Sequence, residues 1–326
     1  MSERTTITQV TQIGVEAIPG TAVPANVLLQ AISIEPSIQA EVQTFRPAGV
    51  KFNTIGVLGK EWTEASISGP ASYTDLAYLF AGVLAYAPPV RQGSTTAYKW
   101  TFTPSHTTED TVKTYTVERG SAARAGKFTY GTVNKLGLEF TRDSVEVSGS
   151  MLGRQYQDGV TLTTGATEVA LQPVLPTEVS VYLDSSSASL GSTKLTRSFS
   201  ATFNIGNRFA PIWPLDSTIS SFATTVETAP DATLALLVEA DASGMGPLTA
   251  MRAGTKQFIR VEAVGPTIAD TYKWKLTLDM CGLVSEVGEF TDEDGVYAIE
   301  WTFSAAYDAT WKKALQVELI NTLTAL

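Results

Sequence analysis

The chain has 326 residues, enough for two domains of ordinary size, and 44% of them are apolar against 17% charged. This composition excludes a disordered chain, and short runs of Thr, Ser, Val and aromatic residues favour a mainly β fold. The net charge of −10 argues against tight nucleic-acid binding, whose affinity comes mostly from Lys and Arg. It still allows a protein past which nucleic acid slides without sticking.

The first 60 residues predict an extended arm, a strand and an unusual loop. Residues 1–27 contain too many turn formers for a helix, and residues 28–45 alternate apolar and polar positions as a strand does. Residues 46–60 mix glycines and a proline with the apolar residues Val50, Phe52, Ile55, Val57 and Leu58. Apolar loops rarely stay exposed, so we expect this loop to dock on a partner.

A helix is predicted directly after Pro70, followed by strands. Ser72 is a suitable N-cap, Asp75 falls in the first turn, and apolar positions recur on one helical face. Strands are predicted at residues 98–103, 114–118, 133–141 and 145–151, with a hairpin turn at Arg142–Ser144.

The second half is predicted to begin after a linker. Gly and Pro residues mark residues 161–178 as this linker, which separates a first domain, residues 1–160, from a second, residues 179–326. The second half predicts strands at 179–183, 194–205, 257–263, 272–280, 296–303 and 316–321. A helix is predicted over Asp231–Glu239, and Asp294-Gly295 predicts a type I′ hairpin turn.

One pattern occurs twice, about 160 residues apart. Trp62 and Phe222 each open a strand-like stretch, a proline follows eight residues later at Pro70 and Pro230, and an apolar segment comes next. An internal repeat near half the chain length suggests two copies of one folding unit. Each unit is predicted to be a small β-sandwich or half-barrel with one packed α-helix.

The sequence contains no pattern that marks an active site or a metal site. The one histidine, His106, lies in a polar loop, and we interpret it as a solvated loop residue. Cys281 follows a strand with no histidine near it, and we interpret it as a core or near-core residue rather than a nucleophile. The acidic stretch 286–294 lacks the ligand spacing of an EF-hand loop. We therefore expect a non-enzymatic protein with no cofactor and no metal.

The order of elements and some local sequence resemble the major tail tube proteins of long-tailed bacteriophages. The resembling features are the arm with Gly14-Val-Glu16 and Pro19-Gly-Thr-Ala22, the strand–Pro–helix unit around Pro70, the strand Trp100-Thr-Phe-Thr-Pro104, and the hairpin formed by residues 133–140 and 145–149. The likeness spans most of the first half and is weaker in the second.

The resemblance implies a structural virion protein whose copies pool their sheets into an inner β-barrel ring. Rings stack into the hollow tail tube, through which viral DNA passes during ejection without specific binding. Six tube folds surround the lumen in that family, so a chain with two folds implies a homotrimer, and a chain with one implies a homohexamer. The implied partners are other copies of the chain, the tape measure protein, the tail terminator and the distal tail protein.

The resemblance also assigns a role to the apolar loop and a location to the protein. The loop would reach toward the neighbouring ring, with Arg46, Phe52, Ile55, Val57 and Leu58 as contact residues. Assembly would take place in the host cytoplasm, and the mature location would be the virion tail. The polar start of the chain lacks signal-peptide features, and no apolar segment reaches the length that spans a bilayer, so we expect no membrane insertion.

Two other functions remain open from sequence. A β-sandwich carbohydrate-binding or host-adhesion protein of the virion would use some of the six tryptophans as a sugar platform, although most lie in strand patterns that favour core packing. A hydrolase that uses a carboxylate pair is the third alternative, but nothing marks two carboxylates as partners.

Overall fold

A computed structural model describes residues 5–326 and shows a mainly β protein. The first half contains α1 (Asp75–Val83) and the strands β1 (Val10–Val15), β2 (Val27–Leu28), β3 (Ser33–Phe45), β4 (Ile55–Pro70), β5 (Val90–Arg91), β6 (Tyr98–Phe102), β7 (Tyr115–Ser121), β8 (Arg124–Phe140), β9 (Val145–Gly153), β10 (Gln157–Val160) and β11 (Thr167–Glu168).

The second half contains α2 (Gly246–Ala253) and the strands β12 (Val179–Asp184), β13 (Lys194–Leu195), β14 (Ser198–Gly206), β15 (Phe209–Ile212), β16 (Thr224–Glu227), β17 (Asp231–Glu239), β18 (Gln257–Ala269), β19 (Tyr272–Glu293), β20 (Val296–Ala305) and β21 (Leu315–Asn321). Short 3₁₀ turns lie at Thr6–Thr8, Pro176–Glu178 and Ser187–Ser189.

The first half is a sandwich of two sheets that share one long strand. The carboxyl-terminal part of β8 pairs with β9, which pairs with β4, which pairs with β3. The amino-terminal part of β8 pairs with β7 and β10, and β7 pairs with β1. A strand this long can serve both sheets by bending between them, so β8 connects the two layers of the sandwich.

The second half repeats this pairing pattern strand for strand. The carboxyl-terminal part of β19 pairs with β20, β20 with β17, and β17 with β14. The amino-terminal part of β19 pairs with β18 and β21, and β18 pairs with β12. In each half the helix lies between the second strand of the pattern and the strands that follow it. The chain therefore contains two copies of one folding unit, in line with the fold class that the sequence predicts.

The two units are joined sheet to sheet rather than held apart by the linker. Residues 201–205 of β14 pair antiparallel with residues 136–140 of β8. This pairing creates one continuous sheet in the order β3-β4-β9-β8-β14-β17-β20-β19, which we call the long sheet. The sheets of the single chain do not close into a barrel.

The first helix agrees with the prediction, with a small shift at its start. It spans Asp75–Val83, all of its residues are buried, and the N-cap position is Thr74 rather than Ser72. The Asp75 carboxylate accepts hydrogen bonds from the backbone N–H groups of Ala31 and Ile32. Burial raises the pKa of this carboxyl group above its usual value.

The second predicted helix is wrong. Residues 231–239 form strand β17, whose alternate residues Ala232, Leu234, Leu236 and Val238 are buried. This period of two is that of a strand between two neighbours, and the flanking strands β14 and β20 override the helical propensity of the segment. The helix begins instead at Gly246, with Pro247 in its first turn and Gly254 in the left-handed conformation at its end.

The apparent sequence repeat is therefore not the structural one. Residues after Pro70 form a helix, but residues after Pro230 form a strand, so the two similar stretches have different structures. The predicted loop over residues 46–60 is also shorter than expected, because β4 already begins at Ile55. The hairpin turns at Arg142–Ser144 and at Asp294-Gly295 are confirmed, and the latter has positive φ at both central residues as a type I′ turn requires.

Candidate assembly surfaces

One face of the long sheet carries the polar side chains of both units. The opposite face packs into the core, because apolar residues at alternate positions of the same strands are buried. On the polar face, strand register places Ser66 opposite Ser150, Ser68 opposite Ser148, and Thr202 opposite Glu139. The face continues through the second unit with Ala235 opposite Thr302 and Thr302 opposite Glu286. Small hydroxyl side chains and carboxylates therefore extend across both units.

A like-charge pair lies near the middle of this polar face. Glu139 of β8 and Glu146 of β9 are directly opposite each other, and both are exposed. Like charges directly opposite each other on neighbouring strands destabilise a sheet. The pair places two negative charges side by side on the polar face, which also carries the cationic side chain of Lys135 opposite Ser150.

The long sheet ends in two open edges. Within residues 5–326, strand β3 pairs with β4 on one side only, and the carboxyl-terminal part of β19, residues 283–293, pairs with β20 on one side only. Exposed apolar side chains lie at both edges, among them Ile38 on β3 and Phe290 on β19. Such edges expose unpaired backbone N–H and C=O groups that can pair with another chain.

The hairpin of β3 and β4 extends beyond the rest of the long sheet. Strand β9 covers β4 only from Thr63 onward, so residues 39–62 form a two-stranded arm, which we call the β3–β4 arm. Phe45, Ile55 and Val57 share one face of this arm, since Phe45 pairs with Ile55 and Val57 lies two residues further on. Val42 and Leu58 are opposite each other on the other face. Exposed apolar side chains therefore lie on both faces of the arm, among polar ones such as Gln43 and Thr44.

The five residues predicted to make contacts between rings all lie on this arm. Arg46 and Phe52 are in the connection at its tip, and Ile55, Val57 and Leu58 are among the first four residues of β4. All five are exposed, and Phe52 retains 78% of its accessible surface. The structure brings them together on one projecting element, while their role as a contact surface stays a prediction.

The corresponding connection of the second unit does not project but packs against the first unit. Residues 207–230, between β14 and β17, fold back onto the first unit and contain the small hairpin of β15 and β16. Trp213 packs edge to face on Trp62 with 5.7 Å between ring centroids. The Glu61 backbone N–H donates to the carbonyl oxygen of Ser220 at 3.0 Å, and Arg154 Nε donates to the carbonyl oxygen of Phe222 at 3.1 Å.

A buried ion cluster anchors this connection. Arg208 is fully buried, and its guanidinium donates to Asp110 Oδ2 at 2.8 Å, Glu227 Oε1 at 2.7 Å and the Val83 carbonyl oxygen at 2.8 Å. Burial raises the pKa of the Asp110 carboxyl group, while the neighbouring guanidinium acts to lower it. The cluster links the second unit to the end of α1 and to the loop before β7.

His106 and Cys281, the residues considered for catalysis, are an aromatic stacking partner and a buried residue. The His106 ring stacks on Tyr307 with 3.8 Å between ring centroids. Cys281 is buried, and burial raises the pKa of its thiol to about 11, so it remains protonated at neutral pH. Across residues 5–326, no three His, Cys, Asp or Glu side chains are grouped closely enough to hold a metal ion.

All six tryptophans pack against other side chains. Trp100, Trp274 and Trp301 are buried, and Trp62, Trp213 and Trp311 are partly buried, each in contact with another aromatic ring. This agrees with the interpretation of most of them as core residues, and it provides no exposed platform of the kind that a sugar-binding module uses.

Sequence reasoning missed the two surfaces that depend on strand pairing, the polar face and the open edges. Neither has a local motif, since both arise from which strands are neighbours. The sequence matches no known protein-family model, and no curated protein is significantly similar to it. In the described part of the chain, the two helices are too short to cross a bilayer.

Proposed function

We propose that this protein is a structural subunit that assembles through its open sheet edges into rings, and that the rings stack into the tail tube of a long-tailed bacteriophage. The observation that carries the proposal is the junction between β8 and β14. It shows that this folding unit can extend its sheet by accepting a strand of another copy of the same unit.

The two open edges make this extension repeatable. After the internal junction has formed, the chain still has one free edge on β3 and one on β19. A unit with two different free edges adds copies head to tail, which gives a ring if the rotation between copies closes and an open filament if it does not. Closure removes the unpaired strand edges, which stabilises the ring against uncontrolled aggregation.

The polar face of the long sheet supports the passage of DNA. The second sheet and the helices cover the opposite face, so a ring closed through the edges of the long sheet would direct the polar face to the lumen. Glu139, Glu146 and Glu286 would then repeat around the lumen among hydroxyl side chains. Phosphates would be repelled from this wall, which keeps DNA mobile.

The β3–β4 arm supplies the contact between rings in this proposal. A projecting element with exposed apolar side chains on both faces is stabilised when those side chains are covered. The neighbouring ring would bury Phe52, Ile55, Val57 and Leu58, with Arg46 at the rim. The tape measure protein in the lumen, the tail terminator and the distal tail protein at the ends would complete the tube.

The duplicated unit also bears on the number of chains in a ring. With two units in each chain, a ring of six units needs three chains, and we propose this homotrimer with pseudo-sixfold symmetry. The test is negative-stain electron microscopy of the purified protein at increasing concentration, with rotational averaging of end views. Hollow tubes with six similar lobes around the lumen are expected, and a protein that stays monomeric even with tail initiation proteins would contradict the proposal.

A charge variant tests the role of the polar face separately. Replacing Glu139 and Glu146 by lysine should leave tubes intact, because both side chains are exposed, and should make the tubes bind double-stranded DNA in a salt-dependent way. Glu168, an exposed carboxylate on β11 outside the long sheet, gives the control Glu168→Lys. Equal DNA binding by both variants would place the polar face outside the lumen.

A further inference from the structure

The internal junction provides a template for the contact between chains. At this junction, Ile205 of β14 is opposite Leu136 of β8, and Phe203 is opposite Leu138. All four side chains are buried. Each lies on the outermost strand of the long sheet within its own unit, so the pairing of the two units covers it.

The pairing pattern identifies the corresponding residues at the open edges. The two units can be aligned at the last paired residues before each helix. In the first unit this pair is Pro70 and Glu146, and in the second it is Glu239 and Ala298. When residues are counted along the paired strands from these two pairs, Ile38 of β3 corresponds to Ile205 of β14.

The same alignment applies to the other edge. Val287 of β19 is the counterpart of Leu136, and Phe290 is the counterpart of Leu138. The counterparts are apolar like the residues that they match, but they are exposed in the single chain, Ile38 by 57%, Val287 by 39% and Phe290 by 48%. Apolar side chains at three matching positions indicate that these edges are also covered by pairing.

Two cavities give independent support. A cavity of about 250 Å³ lies between β12 and the start of β14, and the turn after β8, residues 140–142, forms one of its walls. A cavity of about 350 Å³ occupies the corresponding place between β1 and the start of β3. Its walls come from residues 9–11 and 28–33 and from Arg119, and none comes from a turn like that after β8. The missing wall corresponds to the turn between β19 and β20.

From these correspondences we propose a head-to-tail contact in which β3 of one copy of this chain pairs with β19 of the next. Residues 34–38 lie antiparallel to residues 287–292, with Ile38 opposite Val287 and Ile34 opposite Asp292. The β19 segment is one residue longer, which fits the bulge that it already has between Val287 and Phe290. The turn at Asp294-Gly295 closes the cavity beside Arg119. This inference rests on the proposed self-assembly and specifies its partner and register.

Cysteine cross-linking tests the register. In the native chain the only thiol, Cys281, is buried, so it serves as an unreactive background. The variants Ile38→Cys and Val287→Cys, mixed in equal amounts and oxidised mildly, should form disulfide-linked dimers and no larger species, because each copy has one new thiol. The double variant should form a ladder of linked chains that ends at the size of the closed ring.

Two controls define the outcomes. Each single variant alone should form no linked dimer, because a head-to-tail contact brings Ile38 only to Val287, and cross-linking of either variant with itself would overturn the proposal. Gln39→Cys with Val287→Cys is the matched register control, since a shift of one residue directs a side chain to the other face of the sheet. More efficient cross-linking of this control pair would show a different register.

The experiment separates this inference from the proposed function. Tubes that form from the native protein while Ile38→Cys and Val287→Cys fail to cross-link would overturn the register and leave the tube proposal standing. Cross-linked rings that never stack into tubes would support the register and contradict the tube. Absence of cross-linking and of any assembly at high concentration would overturn both.

Discussion

Strands β3 and β14 occupy the same place in the two units, but their outer edges differ. The edge of β14 is covered by β8 and its side chains are buried, whereas the edge of β3 is bare and Ile38 is exposed. The connections that follow differ in the same way, since residues 207–230 dock on the first unit and the β3–β4 arm projects. One unit thus has its neighbour within the chain, and the other presents the same kind of surface without one.

The largest expected effect is at the covered edge. Phe203→Ala should lower the free energy of unfolding by about 3–5 kcal/mol, because it leaves a cavity in the junction between the units. Ile38→Ala at the bare edge should change it by less than about 0.5 kcal/mol in the monomer, because an exposed side chain loses few contacts. Urea denaturation of the monomeric protein measures both. Equal losses would show that the bare edge is already packed in the monomer.

The next largest effect is expected at Arg208, which anchors residues 207–230 to the first unit. Arg208→Ala should cost about 3 kcal/mol or more, because Asp110 and Glu227 would be left without their cationic partner in a buried site. Arg197, an exposed side chain paired with Glu239, supplies the control Arg197→Ala, with an expected loss below about 1 kcal/mol. Thermal unfolding at equal protein concentration compares the two variants, and similar melting temperatures would show that the cluster does not hold the connection.

A smaller effect is expected at the aromatic contacts of the connection. Trp213→Ala removes two edge-to-face contacts, with Trp62 and with Phe222, and should cost about 1–2 kcal/mol. Residues 207–230 should also become more sensitive to limited proteolysis, which mass spectrometry of the fragments would show. An unchanged cleavage pattern would mean that the backbone hydrogen bonds and the Arg208 ion cluster keep the connection docked without the Trp213 contacts.

The projecting arm should contribute to assembly and not to the stability of the single chain. Phe52→Ser should leave the free energy of unfolding unchanged within about 0.5 kcal/mol, because the side chain is exposed. In the proposed tube it should shorten the assemblies or reduce them to single rings, as counted by electron microscopy. Tubes of normal length would remove Phe52 from the contact between rings.

The smallest effect is the reactivity of Cys281. Burial raises the pKa of its thiol to about 11, so at pH 8 only about one molecule in a thousand has a thiolate there. A thiol reagent should therefore label the native protein very slowly and the urea-unfolded protein within minutes. Fast labelling of the native protein would show that the middle of β19, around Cys281, opens.

The sequence alone predicted the mainly β class, the position of α1, both hairpin turns and the unusual character of residues 46–60. Each depends on local chemistry, such as the positive φ at Asp294 and Gly295 or the caps and apolar spacing around Asp75. It predicted two units, but from a similarity around Trp62 and Phe222 that the structure assigns to different elements. The helix over Asp231–Glu239 was wrong because neighbouring strands overrode its propensity.

Some of the candidate surfaces could also be predicted from the sequence, and others were decided by tertiary structure. The apolar residues of the β3–β4 arm were visible in the sequence, since Phe52 and Val57 stand out in a glycine-rich segment. The polar face, the two open edges and the anchor at Arg208 were decided only by tertiary structure. They bring together residues as distant as Glu139 and Thr202, or Asp110 and Arg208, and long-range strand pairing and burial leave no mark on either local stretch of sequence.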